Sequence, residues 1–418
     1  MAQATIRDDD PAKASFVYDP KIRGIFYQVV VFVLLVVAIY WIVGNTIENL
    51  RRANIASGFG FLNGRAGFDV GQSLIEYTSD SSFGRALFVG FLNTLLVAVT
   101  GIVTASIIGF AVGIGRLSRN WLIRKICTVY VEVFRNIPPL LVIFFLYLGV
   151  LSVLPLPRDS IDLPFGAFLN SRGLFTPDLV WQGAFLPSLG WNGWVPTIDW
   201  APVFAGRLWL IDIALLIAIA MCWFVVRRAR ERQAATGQQF PVFWTCLGLI
   251  VFLPLVAFFV IGMPVTLEFP ELSTFNLVGG LQIKPEFIAL YLALSIYTAS
   301  FIAEIVRAGI LGVSKGQTEA ASALGLRSGQ ALRLVVVPQA MRIIIPPLTS
   351  QYLNLTKNSS LAIAVGYADL VAIGGTILNQ TGQSIEIVAI WMVVYLGLSL
   401  STSVLMNWFN AKMALVER

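Results

Sequence analysis

Apolar residues along this chain gather in long unbroken runs, not in the two-residue alternation of half-buried strands. Eight such runs stand out, at 24–43, 86–112, 128–153, 208–226, 240–262, 286–311, 341–360 and 385–409. About 20 apolar residues cross the hydrocarbon core of a bilayer, so each run predicts one crossing. The crossings must be helices, because backbone amides and carbonyls in hydrocarbon have to be satisfied within their own segment. The expected fold class is an all-α integral membrane protein of about eight transmembrane helices.

Other stretches interrupt this rhythm. Residues 154–206 contain Pro155, Pro157, Pro164, Pro177, Pro187, Pro196 and Pro202, which exclude a long regular helix. Trp181, Trp191, Trp194 and Trp200 suit the headgroup layer, so an ordered outer loop is expected there, either an interfacial belt or a platform for an external partner. Ala105, Gly109 and Gly113 put small side chains on one helix face, compatible with internal packing and with subunit pairing alike. The doublets Pro138-Pro139 and Pro346-Pro347 are each expected to kink or unwind a helix. Such a break serves packing, or it exposes polar backbone to a transport path.

Composition supports the membrane reading: 57% of residues are hydrophobic, 12% are charged and mean hydropathy is +0.79. The net charge of +6 needs no nucleic acid. Basic residues concentrate in alternate connections, among them Arg116, Arg119, Arg124 and Lys125, and the run Arg227, Arg228, Arg230 and Arg232. The positive-inside rule then places both termini in the cytoplasm. Asp8, Asp9 and Asp10 precede the first apolar run and no A-x-A site follows it, so that run is expected to stay as an anchor. The chain has three cysteines and no histidine, which excludes a disulfide framework, a Ser-His-Asp triad, a His-ligated zinc site and a histidine proton relay. No metal site is expected.

Between the sixth and seventh runs the chain reads Ser314-Lys-Gly316-Gln317-Thr-Glu319-Ala320-Ala321-Ser-Ala-Leu-Gly325-Leu-Arg-Ser328, continuing to Val335, Val337 and Pro338. Ser314 with Gln317 has capping-box spacing, and Gly325 can supply a left-handed stop. Ser328 can cap a second short helix that Pro338 limits. A hairpin paved with alanines lets another protein approach its backbone and Glu319 closely.

The spacing of Glu319, Ala320, Ala321, Gly325, Val335, Val337 and Pro338 resembles the EAA loop of ABC importer permeases, with Val337 where the family form has Leu. Tyr297 to Gly309, Pro338-Gln339-Ala340, Pro346-Pro347-Leu348, Lys357 to Leu361, Asn93-Thr94-Leu95 and Arg135 to Leu140 are similar to the polar amino-acid subfamily. Asn136-Ile137-Pro138 stands where that subfamily commonly has Gly-Thr-Pro. The resemblance covers 86–153 and 285–418 and implies a type I importer (MetI-like) five-helix core in those two parts. Residues 1–85, with the first helix and an outer loop, and 154–284, an outer loop plus an inserted helix pair, exceed that core. This longer layout is similar to the large permease subunits of general L-amino-acid importers of the Aap and Bzt type in the inner membrane of Gram-negative bacteria.

The resemblance implies that 314–338 is a coupling helix seated on a separate ATPase dimer. It further implies a second related permease subunit, a periplasmic amino-acid-binding protein and an L-amino-acid substrate. No phosphate loop occurs in the chain, so ATP and Mg are expected in the partner, with no cofactor and no catalytic residue here.

Charged residues inside spans are costly and have to be paired. Glu132 with Arg135, and Glu304 with Arg307, have the spacing of same-face ion pairs and are expected to be structural clamps. Asp212 and Glu386 are expected near the outer surface, open to hydration. Thr298, Ser300, Gln351, Asn354, Lys357, Ser359 and Ser360 give two spans a polar side, suited to a substrate path or to helix-to-helix hydrogen bonds. The competing expectation is an ion-coupled secondary transporter with a chance loop match. A membrane enzyme is disfavoured by the lack of a metal cluster or an activated nucleophile.

Overall fold

The computed structural model describes residues 20–52, 58–182, 185, 188–192, 195–273 and 276–413. Expectations resting on Asp8 to Asp10, Pro187 and Trp194 lie outside the described residues. In chain order the helices are α1 (Pro20–Arg52), α2 (Phe83–Gly115), α3 (Trp121–Asn136), α4 (Pro139–Phe144), α5 (Ala201–Ala205), α6 (Trp209–Thr236) and α7 (Val242–Val260). There follow α8 (Pro285–Leu311), α9 (Lys315–Ala323), α10 (Ser328–Ala331), α11 (Val337–Asn358), α12 (Leu370–Thr381) and α13 (Ser384–Met413). Among the described residues seven helical stretches are long and apolar enough to cross a membrane, and α3 with the stretch from Pro139 forms an eighth.

That eighth span is bent by 109°. Neither Pro138 nor Pro139 has an amide to donate, and Ile137, forced out of the helical region by the following ring, is extended at φ −104° and ψ 133°. Pro139 opens the next helix, where a missing donor costs nothing. The second doublet corrects the expectation. α11 does not unwind there: it runs from Val337 to Asn358 through Pro346 and Pro347, with Ile344, Ile345 and Leu348 beside them buried against the core.

The core is built on α2, α8 and α11. A Cβ on Gly109 would lie 2.6 Å from Cβ of Ile302, and one on Gly113 would lie 2.7 Å from the carbonyl of Ala303. The small-residue stripe of α2 therefore packs internally against α8. Hydroxyl contacts tie the same helices: Thr104 to Tyr291 at 2.6 Å, and Ser106 to Tyr352 at 2.7 Å. Tyr130 donates to the carbonyl of Ile296 at 2.6 Å, bringing α3 onto α8.

The segment 154–206 is not a plain loop, and the fold is mostly helical rather than wholly so. Strands β1 (Ile161–Leu163), β2 (Ala167–Asn170), β3 (Gly173–Thr176), β4 (Asp178–Trp181), β5 (Ser188–Asn192) and β6 (Val195–Asp199) precede α5. Strands β7 (Val265–Glu268), β8 (Glu271–Leu272), β9 (Leu277–Val278) and β10 (Leu281–Ile283) follow α7. One antiparallel sheet has the order β1-β2-β3-β10, and β4 pairs with β7 from Asp178 opposite Glu268 to Trp181 opposite Val265. Both pairings join chain from before the α6–α7 hairpin to chain from after it, so the β-structure closes the root of the inserted pair. Gly173, at φ +118°, turns the chain into β3 where a side chain would collide with the carbonyl of Ile283. Within the inserted pair, the thiol of Cys222 lies 3.5 Å from the carbonyl of Cys246, and all three cysteines are free thiols.

Replacing Gly109 by Val is expected to force α2 off α8 and to destabilise the protein by about 1–3 kcal/mol, the range for overpacked cores. Gly397→Ala, in open space, should leave stability unchanged. Thermal unfolding of the two variants in detergent, followed by retained monodisperse protein, checks the difference.

Candidate functional site

The hairpin between α8 and α11 projects from the helical core. α9 ends in a left-handed turn at Gly325, φ +76°, where the amide of Leu326 donates to the carbonyl of Ala321 at 3.1 Å and that of Gly325 to Ser322 at 2.9 Å. The expected caps are not the ones used. Ser314 makes no side-chain cap, and Gln317 instead accepts from the Gln339 side chain at 3.1 Å, tying α9 to α11. The second short helix is capped from Arg327 rather than Ser328: its amide donates to the Gln330 side chain at 3.1 Å. Pro338 does not end that helix; a wide turn at 332–336 carries it directly into α11, whose first turn takes the proline.

Only the inner side of the hairpin is packed. Ala321 and Ala331 are buried, while Gly316, Glu319, Ala320 and Gly325 are exposed. Leu324 at the tip is 82% exposed, an apolar side chain offered outward that sequence patterning did not single out.

Behind the hairpin, Glu304 of α8 is the centre of an ion cluster. It accepts from Arg116 at the end of α2 and from Arg307 on its own helix, and Arg135 of α3 stands 3.8 Å away. The expected pair Glu304 with Arg307 forms. The expected pair Glu132 with Arg135 does not: Glu132 faces Arg116 at 3.9 Å, and Arg135 turns to Glu304 and over the ring of Phe301. The same-helix spacing rule sees one helix only, and here the neighbouring helix supplies the stronger partner. The cluster clamps α2, α3 and α8 at one end.

The polar residues of the spans divide into two sets. Ser300 donates to the carbonyl of Tyr297 at 2.6 Å, Ser359 to that of Thr356 at 2.7 Å and Ser360 to that of Lys357 at 2.8 Å, so these hydroxyls are spent on their own helices. Thr298, Ser300 and Ser359 are buried. Gln351, Asn354 and Lys357, at three-residue spacing, share one face of α11, and Asn354 and Lys357 are exposed in the isolated chain. Gln351, Asn354 and Lys357 stand on α11, and Thr298 and Ser300 on α8.

Sequence reading missed a buried polar knot at the opposite end of α2. Asn93 donates to the carbonyls of Gln72 at 2.8 Å and Ala368 at 2.9 Å, and Thr94 accepts from the amide of Leu370 at 3.1 Å. Asp369, fully buried, caps α12 by accepting from the amide of Ala372 at 2.8 Å. Glu386 is not hydrated as expected: it is 8% exposed and accepts from the amide of Gly58 at 2.6 Å.

The described residues thus form a multi-pass helical bundle of the integral-membrane class, with an alanine-lined hairpin standing out from it. Residues 213–415 match the family described as binding-protein-dependent transport system inner membrane component. The chain is 63% identical over 404 residues, 97% of its length and 95% of the relative's, to the general L-amino acid transport system permease protein AapQ of Rhizobium johnstonii. It is 46% identical over 401 residues, 96% of each chain, to the putative amino-acid ABC transporter permease protein YhdX of Escherichia coli. To the glutamate/glutamine/aspartate/asparagine transport system permease protein BztB of Rhodobacter capsulatus it is 42% identical over 426 residues, 98% of this chain and 99% of that one. The chain belongs to the permease subunits of ABC importers. That membership leaves no support for the competing ion-coupled transporter.

Glu304→Gln should strand three guanidiniums and cost about 1–3 kcal/mol, the worth of hydrogen bonds to charged groups. Glu132→Gln, on a side chain 61% exposed, should stay within about 0.5 kcal/mol. Paired denaturation curves in one detergent separate the two.

Proposed function

We propose that this permease carries L-amino acids across the bacterial inner membrane, driven by ATP hydrolysis in a separate subunit. Both termini lie in the cytoplasm, and the hairpin 314–338 is the contact with the ATPase dimer, which binds ATP and Mg. The observation that carries the reading is the exposed tip: Glu319 and Ala320 lie bare on α9, with Leu324 beside them as an apolar knob. A protruding Leu on a small-residue helix is suited to a pocket in a partner, since apolar anchors in fitted pockets dominate binding energy.

Amino acids as cargo follow from the three relatives, all permeases of amino-acid systems by name. The polar face of α11 supports a second, related permease subunit. A lysine and an asparagine facing lipid would be costly, so Gln351, Asn354 and Lys357 are satisfied by lining a water-filled path against the partner permease. Ser300, Ser359 and Ser360 stand behind that path with their hydroxyls bonded to their own helices, and Thr298 is buried beside them on α8. A periplasmic binding protein delivers the amino acid on the opposite face.

In operation, ATP closes the ATPase dimer and draws the paired hairpins together. Gln317 to Gln339 and the continuous turn into α11 transmit that movement to α8 and α11, which tilt and open the path outward. Product release and hydrolysis return them.

Glu319→Lys is expected to leave insertion intact and to reduce ATP-dependent amino-acid uptake at least tenfold, and Leu324→Asp to lose the ATPase subunit in a mild-detergent pull-down. Normal uptake by Glu319→Lys with normal ATPase recovery by Leu324→Asp would remove the hairpin from the coupling role.

A further inference from the structure

On the face opposite the hairpin, a cavity of about 320 Å³ opens where the sheet meets the first turn of α8. Its size falls at the lower end of the roughly 300–1,000 Å³ of small-molecule sites. Three ionisable side chains line it: Arg172 from the turn between β2 and β3, Lys284 just before α8, and Glu286 in the first turn of α8. None of the ion pairs among the described residues includes any of the three. One oxygen of Glu286 accepts from the hydroxyl of Tyr147 at 3.3 Å; the other is buried and has no partner. A buried carboxylate oxygen left open is expensive and marks a position for a ligand donor.

The cavity is built rather than incidental. Asn170, fully buried, accepts from the amide of Arg172 at 2.8 Å, and Gln282 donates to the carbonyl of Arg172 at 3.0 Å, so the arginine's backbone is pinned from β2 and from β10. Lys284 extends over Gly71, where a Cβ would lie 3.0 Å from its ammonium nitrogen. The N-terminus of α8, 27 residues long, adds its positive end to the same side.

We propose that this cavity receives amino acids as they are released to the permease and that its charge pattern favours dicarboxylic ones. Two cations and one carboxylate are complemented by two carboxylates and one ammonium. An acidic α-amino acid carries that set: its ammonium meets Glu286 and the open oxygen there, and its two carboxylates meet Arg172 and Lys284. A neutral amino acid satisfies one cation and leaves the other bare; a basic one places a second cation beside two. Arginine adds geometric selectivity, because its planar fork accepts a carboxylate in two-point fashion. The inference rests on the amino-acid importer reading above and assigns to that function a site on this chain, outside the helical path.

The test reconstitutes the complete importer in proteoliposomes, with the binding protein in excess and saturated by labelled L-glutamate or L-alanine, so that the binding protein's own selectivity drops out. Uptake is normalised to reconstituted permease. Arg172→Gln and Lys284→Gln should each lower the glutamate-to-alanine uptake ratio about tenfold while alanine uptake stays within about twofold, and Lys284→Arg should keep the ratio. An unchanged ratio in both glutamine variants overturns the site. An equal fall for both amino acids also overturns it, since that result makes the cavity a seat for the binding protein. Wild-type protein that takes up neither amino acid defeats the importer reading itself, a result distinct from both.

Discussion

In hydrocarbon no hydrophobic force drives one helix onto another, since lipid tails are as apolar as leucine; association depends on how closely two backbones can approach and on polar ties between them. The contact between α2 and α8 supplies both. Gly109 and Gly113 remove the side chains that would hold Ile302 and Val306 at a distance, and Thr104 reaches Tyr291 midway along the interface. Once these two helices are in register, the ends follow. Arg116 is delivered to Glu304 at one end, and at the other Asn93 and Thr94 receive the turn that leads into α12. α11 then closes on the pair through Gly309, where Ile344 fills the space a side chain would take.

This rigidity is what gives a projecting hairpin mechanical meaning. α9 follows α8 after a three-residue turn, and the wide turn at 332–336 runs into α11 without a loop. A flexible tether would dissipate a push. Here Ala321 and Ala331 seal the inside of the hairpin and Gln317 bonds Gln339, so that in the proposed coupling role displacement of the tip would move two spanning helices together. The Glu304 cluster stands at the base of this lever and joins α2, α3 and α8. A single carboxylate shared by three guanidiniums has more than one satisfactory pairing, which suits a joint that must survive tilting of the helices it connects.

Much of this was legible in the sequence, and the exceptions share a cause. Seven of the eight long apolar runs lie on single long helices, because hydrocarbon imposes that outcome locally, and the run at 128–153 is broken at Pro138-Pro139. Gly325 adopts the left-handed turn that its place after an alanine run requires. The failures concern partners far along the chain. Glu132 and Arg135 had the right spacing, but the end of α2 brought Arg116 to one and α8 brought Glu304 to the other. The strands of 161–199 were hidden because each is five residues or fewer and several of their pairings are to 265–283, beyond the inserted helices. Pro346 and Pro347 read as a break because their missing donors are visible in sequence and the compensating packing of Ile344, Ile345 and Leu348 is not.

The chain outside the expected core, 1–85 and 154–284, is unevenly placed. The hairpin 314–338 keeps the motif that resembles the coupling loop, with little added around it. Besides α1 and the α6–α7 pair, the additional chain forms β-structure on the opposite face, joined by β3 on β10 and β4 on β7, and it contributes Arg172 and Gln282 to the cavity at the head of α8. That β-structure meets α8 at the end opposite the hairpin, where Arg172, Gln282, Lys284 and Glu286 stand together. It can alter what reaches the top of α8 before the helices move. Selectivity at that position, as proposed, would act on cargo at the moment of transfer, when a ligand leaving one protein must find its charges matched on the next.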